Sequence, residues 1–125
     1  MTVYLAEGMA PIGVQLLTDA GIRVATPTDA VDAATVEGLI VRSVFRVDRL
    51  ALARFPRLRV VAKLGTGLDN IDTDACHASG VAVVSAPGVN SVSTAEFTVM
   101  QVLALWKRAY EIHDRVRQRD YRRAL

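Results

Sequence analysis

Five short runs rich in valine, isoleucine and leucine alternate along this chain with turns and stretches of helical period. Val3-Tyr4-Leu5 is the first run, Ile22-Arg23-Val24-Ala25 the second and Gly38-Leu39-Ile40-Val41-Arg42 the third. Residues 58–64 form the fourth, and Val81-Ala82-Val83-Val84 the fifth. Runs that are apolar at successive positions, rather than at every other one, read as strands buried on both faces. Strands of that kind, separated by helical segments, belong to a parallel sheet whose crossovers cover it.

The connecting segments agree. After a turn with Gly8 and Pro11, a helix is expected to run to Asp19, with Ile12, Leu16 and Leu17 on one face and Gly21 closing it. Residues 27–29 open a segment with no clear helical period. Residues 47–55 read as a short helix with Asp48 early, where a carboxylate is favoured, and Pro56 ends it. Residues 72–79 form another, stopped by Gly80. The longest helix is expected from Ser91 or Ser93 to about Arg119, and Ser93 with Glu96 has capping-box spacing. The expected architecture is α/β: a flavodoxin-like open parallel five-stranded sheet of order 2-1-3-4-5, with helices on both faces and a long C-terminal helix. Residues 1–90 make the sheet domain and residues 91–125 the long helix.

Composition narrows the function classes. At 125 residues, 51% of them hydrophobic and 22% charged, the chain can bury one core without disulfides or metals. No apolar run approaches the roughly 20 residues needed to cross a membrane, and the N-terminal segment lacks the pattern of a signal peptide. Cys76 is the single cysteine, which excludes an internal disulfide and fits a reducing cytoplasm. The net charge of +2 hides a basic end, with arginines at 115, 117, 119, 122 and 123 against Asp120. Without aromatic interleaving or a nucleic-acid motif, that run reads as a solvated helix end complementing the helix dipole, and neither nucleic acid nor membrane is an expected partner.

In an open parallel sheet, ligands bind beyond the carboxyl ends of the strands. The candidates are then Glu7-Gly8-Met9, Thr26-Pro27, Arg42-Ser43-Val44, Gly65-Thr66-Gly67 and Ala86-Pro87-Gly88-Val89-Asn90. A phosphoryl-accepting receiver is excluded: Glu7 has no acidic neighbour, Arg42 stands where an aspartate is needed, and Pro87 follows the fifth strand. A flavin-phosphate loop is excluded because Glu-Gly-Met-Ala-Pro offers no hydroxyl. Gly65-Thr66-Gly67-Leu68-Asp69-Asn70 begins like a dinucleotide fingerprint, but its sixth position is Asn and the next helix starts too late. Two uses of this loop remain open. Its glycines allow a backbone nest for a small carboxylate or phosphate, with Arg42 supplying a bidentate fork; or they simply permit a tight turn while Arg42 pairs with a surface acid.

Three segments carry a resemblance. Leu39-Ile40-Val41-Arg42-Ser43, Val60-Val61-Ala62-Lys63-Leu64-Gly65-Thr66-Gly67-Leu68-Asp69-Asn70-Ile71-Asp72 and the stretch from Val83 to Thr98, Val-Val-Ser-Ala-Pro-Gly-Val-Asn-Ser-Val-Ser-Thr-Ala-Glu-Phe-Thr, resemble in order and spacing the NAD-dependent D-2-hydroxyacid dehydrogenases, a family that includes phosphoglycerate dehydrogenase. The resemblance covers the chain from about Gly38 onward. It implies that the backbone of Gly65, Thr66 and Gly67 holds a substrate carboxylate. Arg42 and Ser43 would line the same pocket and choose the substituent, and Asn90 would lie at the cleft. Glu96 would cap its helix, and Thr98 would face the cofactor. Phe97 stands where many relatives carry histidine.

The resemblance also implies what this chain lacks. The family's catalytic histidine, its carboxylate partner, the catalytic arginine and the glycine-rich NAD loop belong to a second domain, and the sequence stops near where that domain would begin. His77 and His113 are expected at the surface, and Cys76 as a buried small residue. The expectation is a substrate-binding portion that binds a small anionic 2-hydroxy/2-keto acid. It has no catalytic or metal residues and no cofactor of its own; NAD or NADP would be used by the complete enzyme. A free-standing binding or dimerising module is the alternative. Val92, Ala95, Val99, Val102, Leu103, Trp106 and Tyr110 recur at helical spacing, which predicts a homodimer through the last helix.

Overall fold

A computed structural model describes residues 1–121. Its five strands are β1 (Thr2–Leu5), β2 (Arg23–Ala25), β3 (Gly38–Val41), β4 (Val60–Lys63) and β5 (Ala82–Val84). All pairings are parallel, and the order is β2-β1-β3-β4-β5. Sheet type, strand number and order match the sequence expectation; β1 gains Thr2 and the other four strands are trimmed at their ends. β3 is central and buried at all four positions, as its unbroken apolar run requires.

The helices are α1 (Pro11–Asp19), α2 (Arg49–Arg54), α3 (Thr73–Ala78), α4 (Ser91–Trp106) and α5 (Ala109–Arg117), with one 3-10 turn at Ala33–Thr35. Two compact units result, Met1–Gly88 and Val89–Leu125. The sheet and α1 to α3 make the first unit; α4 and α5 lie in the second.

Within the first unit the sheet has two apolar faces. On one, Val3, Leu5 and Ile40 pack with Met9, Val14 and Leu17 from the α1 region. On the other, Tyr4, Leu39, Val41 and Val61 join Leu52 and Phe55 of the α2 region and Ala75 and Cys76 of α3. The Tyr4 and Phe55 rings lie 5.7 Å apart, and Phe55 is 2% exposed. Asp48 caps α2 by accepting from the Leu50 and Ala51 amides, and Asp72 caps α3 by accepting from Ala75.

Three details differ from the sequence reading. In α1, Leu17 packs inward, but Ile12 and Leu16 are exposed. Val14 and Leu17 form the half-buried stripe, and Gly13 leaves the space in which the Met9 side chain lies. The C-terminal helix is two helices, because Arg108 adopts a left-handed conformation (φ 52°) between Trp106 and Ala109. The capping box is absent: α4 starts at Ser91, so Ser93 is already inside its first turn, and the preceding Asn90 makes no side-chain cap. Of the basic run, Arg122 and Arg123 lie outside the described residues.

Candidate functional site

Strand register decides which loops become neighbours. Leu5 pairs with Ile40, Val41 with Lys63, and Ala62 with Val84. The segments leaving β1, β3, β4 and β5 therefore emerge side by side at the carboxyl edge of the sheet. Glu7 comes level with Arg42, and Gly65 with Ala86, whose amide donates to the Gly65 carbonyl at 3.0 Å.

Glu7 organises the β3 loop. Its Oε1 accepts from the amides of Arg42 at 2.9 Å and Phe45 at 3.0 Å, its Oε2 from Ser43 at 3.1 Å, and both oxygens lie 3.2 Å from the Val44 amide. Four consecutive N–H groups thus converge on one carboxylate. Desolvation pushes the Glu7 pKa up, but the hydrogen bonds from Phe45, Arg42, Val44 and Ser43 outweigh it and hold the value down at about 2. The sequence places Glu7 among the candidates after β1 and without an acidic neighbour, but does not show this role. The signal that finds its role is topological: once β1 and β3 are adjacent, an acid two residues past β1 faces a loop whose amides have no strand to pair with.

With its backbone fixed, this loop sends neighbouring side chains to different places. The Arg42 guanidinium lies 3.4 Å from the Gly8 carbonyl oxygen, and Arg42 lines a concavity of about 460 Å³ with Gly8, Met9, Ala10 and Leu64. Among the described residues it meets no carboxylate. Ser43 lines a separate depression of about 350 Å³ with Val44, Arg46, Lys63, Asp69 and Asn70.

The glycine loop is tied to the same frame. Gly65 takes φ 154°, where side chains are disfavoured, and its amide donates back to the Lys63 carbonyl at 2.9 Å. Asn70 accepts from Lys63 Nζ and donates from Nδ2 to the Phe45 carbonyl at 2.6 Å. The Val47 amide donates to the Asn70 carbonyl, and Asp72 returns a bond to Val47. The two loops are therefore stitched together along 45–47 and 70–72. The Thr66 hydroxyl lies 3.5 Å from the Ala86 carbonyl. Among the described residues the Gly67 amide donates to no backbone carbonyl. The Asp69 carboxylate covers its α-carbon so closely that a Cβ would meet Oδ2 at 2.8 Å.

This loop does not fit a dinucleotide. A pyrophosphate needs the third fingerprint glycine and a helix N-terminus aimed from the loop. Here Asn70 holds that place as a cross-brace, and α3 begins only at Thr73, its first turn already capped by Asp72.

The model of the catalytic domain of the D-isomer specific 2-hydroxyacid dehydrogenases matches residues 3–118. The chain belongs to this family. It is 54% identical over 77 residues to an (S)-sulfolactate dehydrogenase of Chromohalobacter salexigens, a match covering 62% of this chain and 25% of the relative. It is 41% identical over 88 residues to a D-3-phosphoglycerate dehydrogenase of Mycobacterium leprae, covering 70% and 17%. A D-lactate dehydrogenase of Aquifex aeolicus, solved with NAD and lactic acid, superposes with TM-score 0.85 at 25% identity, covering all of this chain and 39% of that one. A formate dehydrogenase of Staphylococcus aureus, solved with NAD, shares the fold at TM-score 0.78 and 22% identity, covering 97% and 43%. The chain spans about a quarter or less of the length of these curated relatives.

Asn90 belongs to the second unit, immediately before α4. Thr98 sits inside α4, and its hydroxyl donates to the Thr94 carbonyl at 2.8 Å, a bond within its own helix. Glu96 and Phe97 are exposed on the same helix. His77 and His113 are exposed, while Cys76 is fully buried. Burial, and then the nearby Asp72, push its thiol pKa up, away from reactivity. Among the described residues no cluster of His, Cys, Asp or Glu has the makings of a metal site, and no helix is long and apolar enough to cross a membrane.

Proposed function

We propose that this chain is the substrate-recognising portion of a D-2-hydroxyacid dehydrogenase, taking a small anionic 2-hydroxy/2-keto acid at the carboxyl edge of its sheet. The observation that supports this reading is that the loops leaving the neighbouring strands β3 and β4 carry, among the described residues, an arginine that meets no carboxylate, Arg42, and an amide that donates to no backbone carbonyl, that of Gly67. The substrate carboxylate lies against the backbone of Thr66 and Gly67, and Arg42 meets the substituent; Ser43, which lines its own depression, keeps its place in the site through the resemblance alone. A second strongly anionic group, such as a phosphate or sulfonate, suits the guanidinium fork. Sulfolactate and phosphoglycerate, named for two of the relatives, both carry one.

On this reading hydride transfer requires residues outside the 125, and NAD or NADP is bound by the complete enzyme, not by this chain alone. Asn90 and Thr98 keep their substrate and cofactor assignments through the resemblance. Thr98, whose proton is committed to Thr94, offers a cofactor only its oxygen and methyl group. The segment beginning at residue 91 crosses to the cofactor domain, and the protein works in the cytoplasm. Self-association through the C-terminal helix is favoured by the exposure of Phe97, Val102, Leu105 and Trp106 on α4.

Calorimetric titration with 3-phosphoglycerate, 3-sulfolactate and lactate tests the recognition. The acids with a second anionic group are expected to bind more tightly than lactate, and Arg42→Gln is expected to abolish that preference. Equal, Arg42-independent affinities contradict the reading. A hydride-transfer assay on the chain alone is expected to show no NADH oxidation.

A further inference from the structure

We propose that Glu7 is the positioning residue of the anion-recognising edge. Its carboxylate gathers the four amides of residues 42–45 and thereby fixes where the Arg42 guanidinium and Ser43 hydroxyl stand relative to the glycine loop. This rests on the reading of Arg42 and Gly67 as the substrate site.

The geometry differs from an ordinary loop bond. The side chain reaches across from the end of β1 to the end of β3, 35 to 38 residues away in sequence, and both of its oxygens are used. Four successive N–H groups pointing to one side form a concave anion nest. Here that nest is filled by the protein's own carboxylate, so it is not available to a ligand. Its effect passes through the backbone. Arg42 leaves the nest toward Gly8 and Leu64, Ser43 toward Lys63 and Asn70, and both directions follow from the peptide planes that Glu7 holds. The far end of the loop is held separately by the Phe45 carbonyl on Asn70 and by the Val47–Ile71 bridge. Glu7 is thus the clamp nearest the two recognition side chains, and it touches neither the proposed ligand position nor the Gly67 amide. The charge is well kept, since the hydrogen bonds hold its pKa at about 2.

Glu7→Gln removes the charge with little change of shape, and its amide nitrogen brings an N–H against N–H donors. The 125-residue chain and E7Q are titrated with 3-phosphoglycerate and with 3-sulfolactate at pH 7. Thermal unfolding and the ¹⁵N–¹H shifts of residues 42–45 are followed in parallel. Asp32→Ala, which removes the cap on the Ala34 amide, serves as a stability control outside the site. E7Q is expected to bind about tenfold more weakly, as when a charge-assisted contact is misplaced. The four amides should move upfield together, and Glu7→Asp, which keeps the charge, should recover most of the affinity. D32A is expected to unfold earlier with unchanged affinity. If the wild-type chain binds and E7Q binds equally well, Glu7 does not position the site, and the substrate reading stands. If the wild-type chain binds neither acid, the substrate reading falls and takes this proposal with it. An E7Q chain that does not fold also overturns the proposal, because the carboxylate would then be holding the fold rather than the loop.

Discussion

At the scale of single residues, the arrangement turns on where polar groups find partners. Glu7 has a folded pKa of about 2 against an ordinary value of 4.5. A depressed carboxylate contributes its full stabilisation above the unfolded value and loses it as pH falls through the folded one. The amides of residues 42–45 are therefore expected to stay protected from hydrogen exchange above pH 4.5 and to lose protection between there and about pH 2. A carboxyl titration of Glu7 by carbon NMR with a midpoint near the ordinary value contradicts this. Cys76, with no exposed surface, tests the opposite case. Cys76→Ser places a hydroxyl in an apolar site and is expected to cost about 2 kcal/mol in denaturant unfolding. Sequence alone identified Cys76 as a buried apolar residue, because a short helix with no cation beside it leaves little alternative. It could not identify Glu7, whose partners are backbone amides that only the neighbouring of β1 and β3 brings within reach.

At the scale of elements, the strands were legible because their signal is compositional and short-range. The helix ends were legible where a carboxylate marks them. Asp48, expected inside the start of its helix, caps it from just outside, and Asp72→Ala is expected to lower stability by about 1 kcal/mol through loss of the α3 cap. The C-terminal helix was not read correctly, since no glycine or proline marks its break. The turn falls at Arg108, a residue type that rarely takes a left-handed conformation, and its side chain then pairs with Glu111 in the first turn of α5. What the sequence did contain was a change of character at Lys107, from an apolar helix to a charged one. Arg108→Gly relieves a backbone strain of roughly 1–2 kcal/mol and gives up an exposed ion pair worth about 0.5 kcal/mol. Its thermal midpoint is expected to equal or exceed that of the parent, and a clear fall means that the ion pair, not the backbone, governs the turn. The face of α1 was misjudged for a different reason. Ile12 and Leu16 are as apolar as Val14 and Leu17, and the choice between adjacent stripes is made by Gly13, where the Met9 side chain fits.

At the scale of the molecule, the first unit packs two apolar layers around one sheet. Phe55→Ala, which empties the contact with Tyr4, is expected to cost 3–5 kcal/mol, roughly the usual loss for a buried aromatic. The exposed apolar residues of α4 belong to a different problem, self-association. Light scattering is expected to show a dimer that Trp106→Asp dissociates; a monomer at high concentration, unchanged by that substitution, removes this part of the account. The carboxyl edge was legible in outline, because in a parallel sheet the loops after the strands can be named from the strands themselves. The division of Arg42 and Ser43 between two depressions was not, since it depends on the direction of each side chain. The central claim is that the 65–70 loop serves the substrate and not the dinucleotide. Separate NMR titrations of the ¹⁵N-labelled chain with 3-phosphoglycerate and with NAD test it most directly. The acid is expected to shift the amides of Thr66, Gly67 and Arg42 while NAD leaves residues 65–70 unmoved; shifts of those residues by NAD, with none from the acid, contradict a substrate role for the loop.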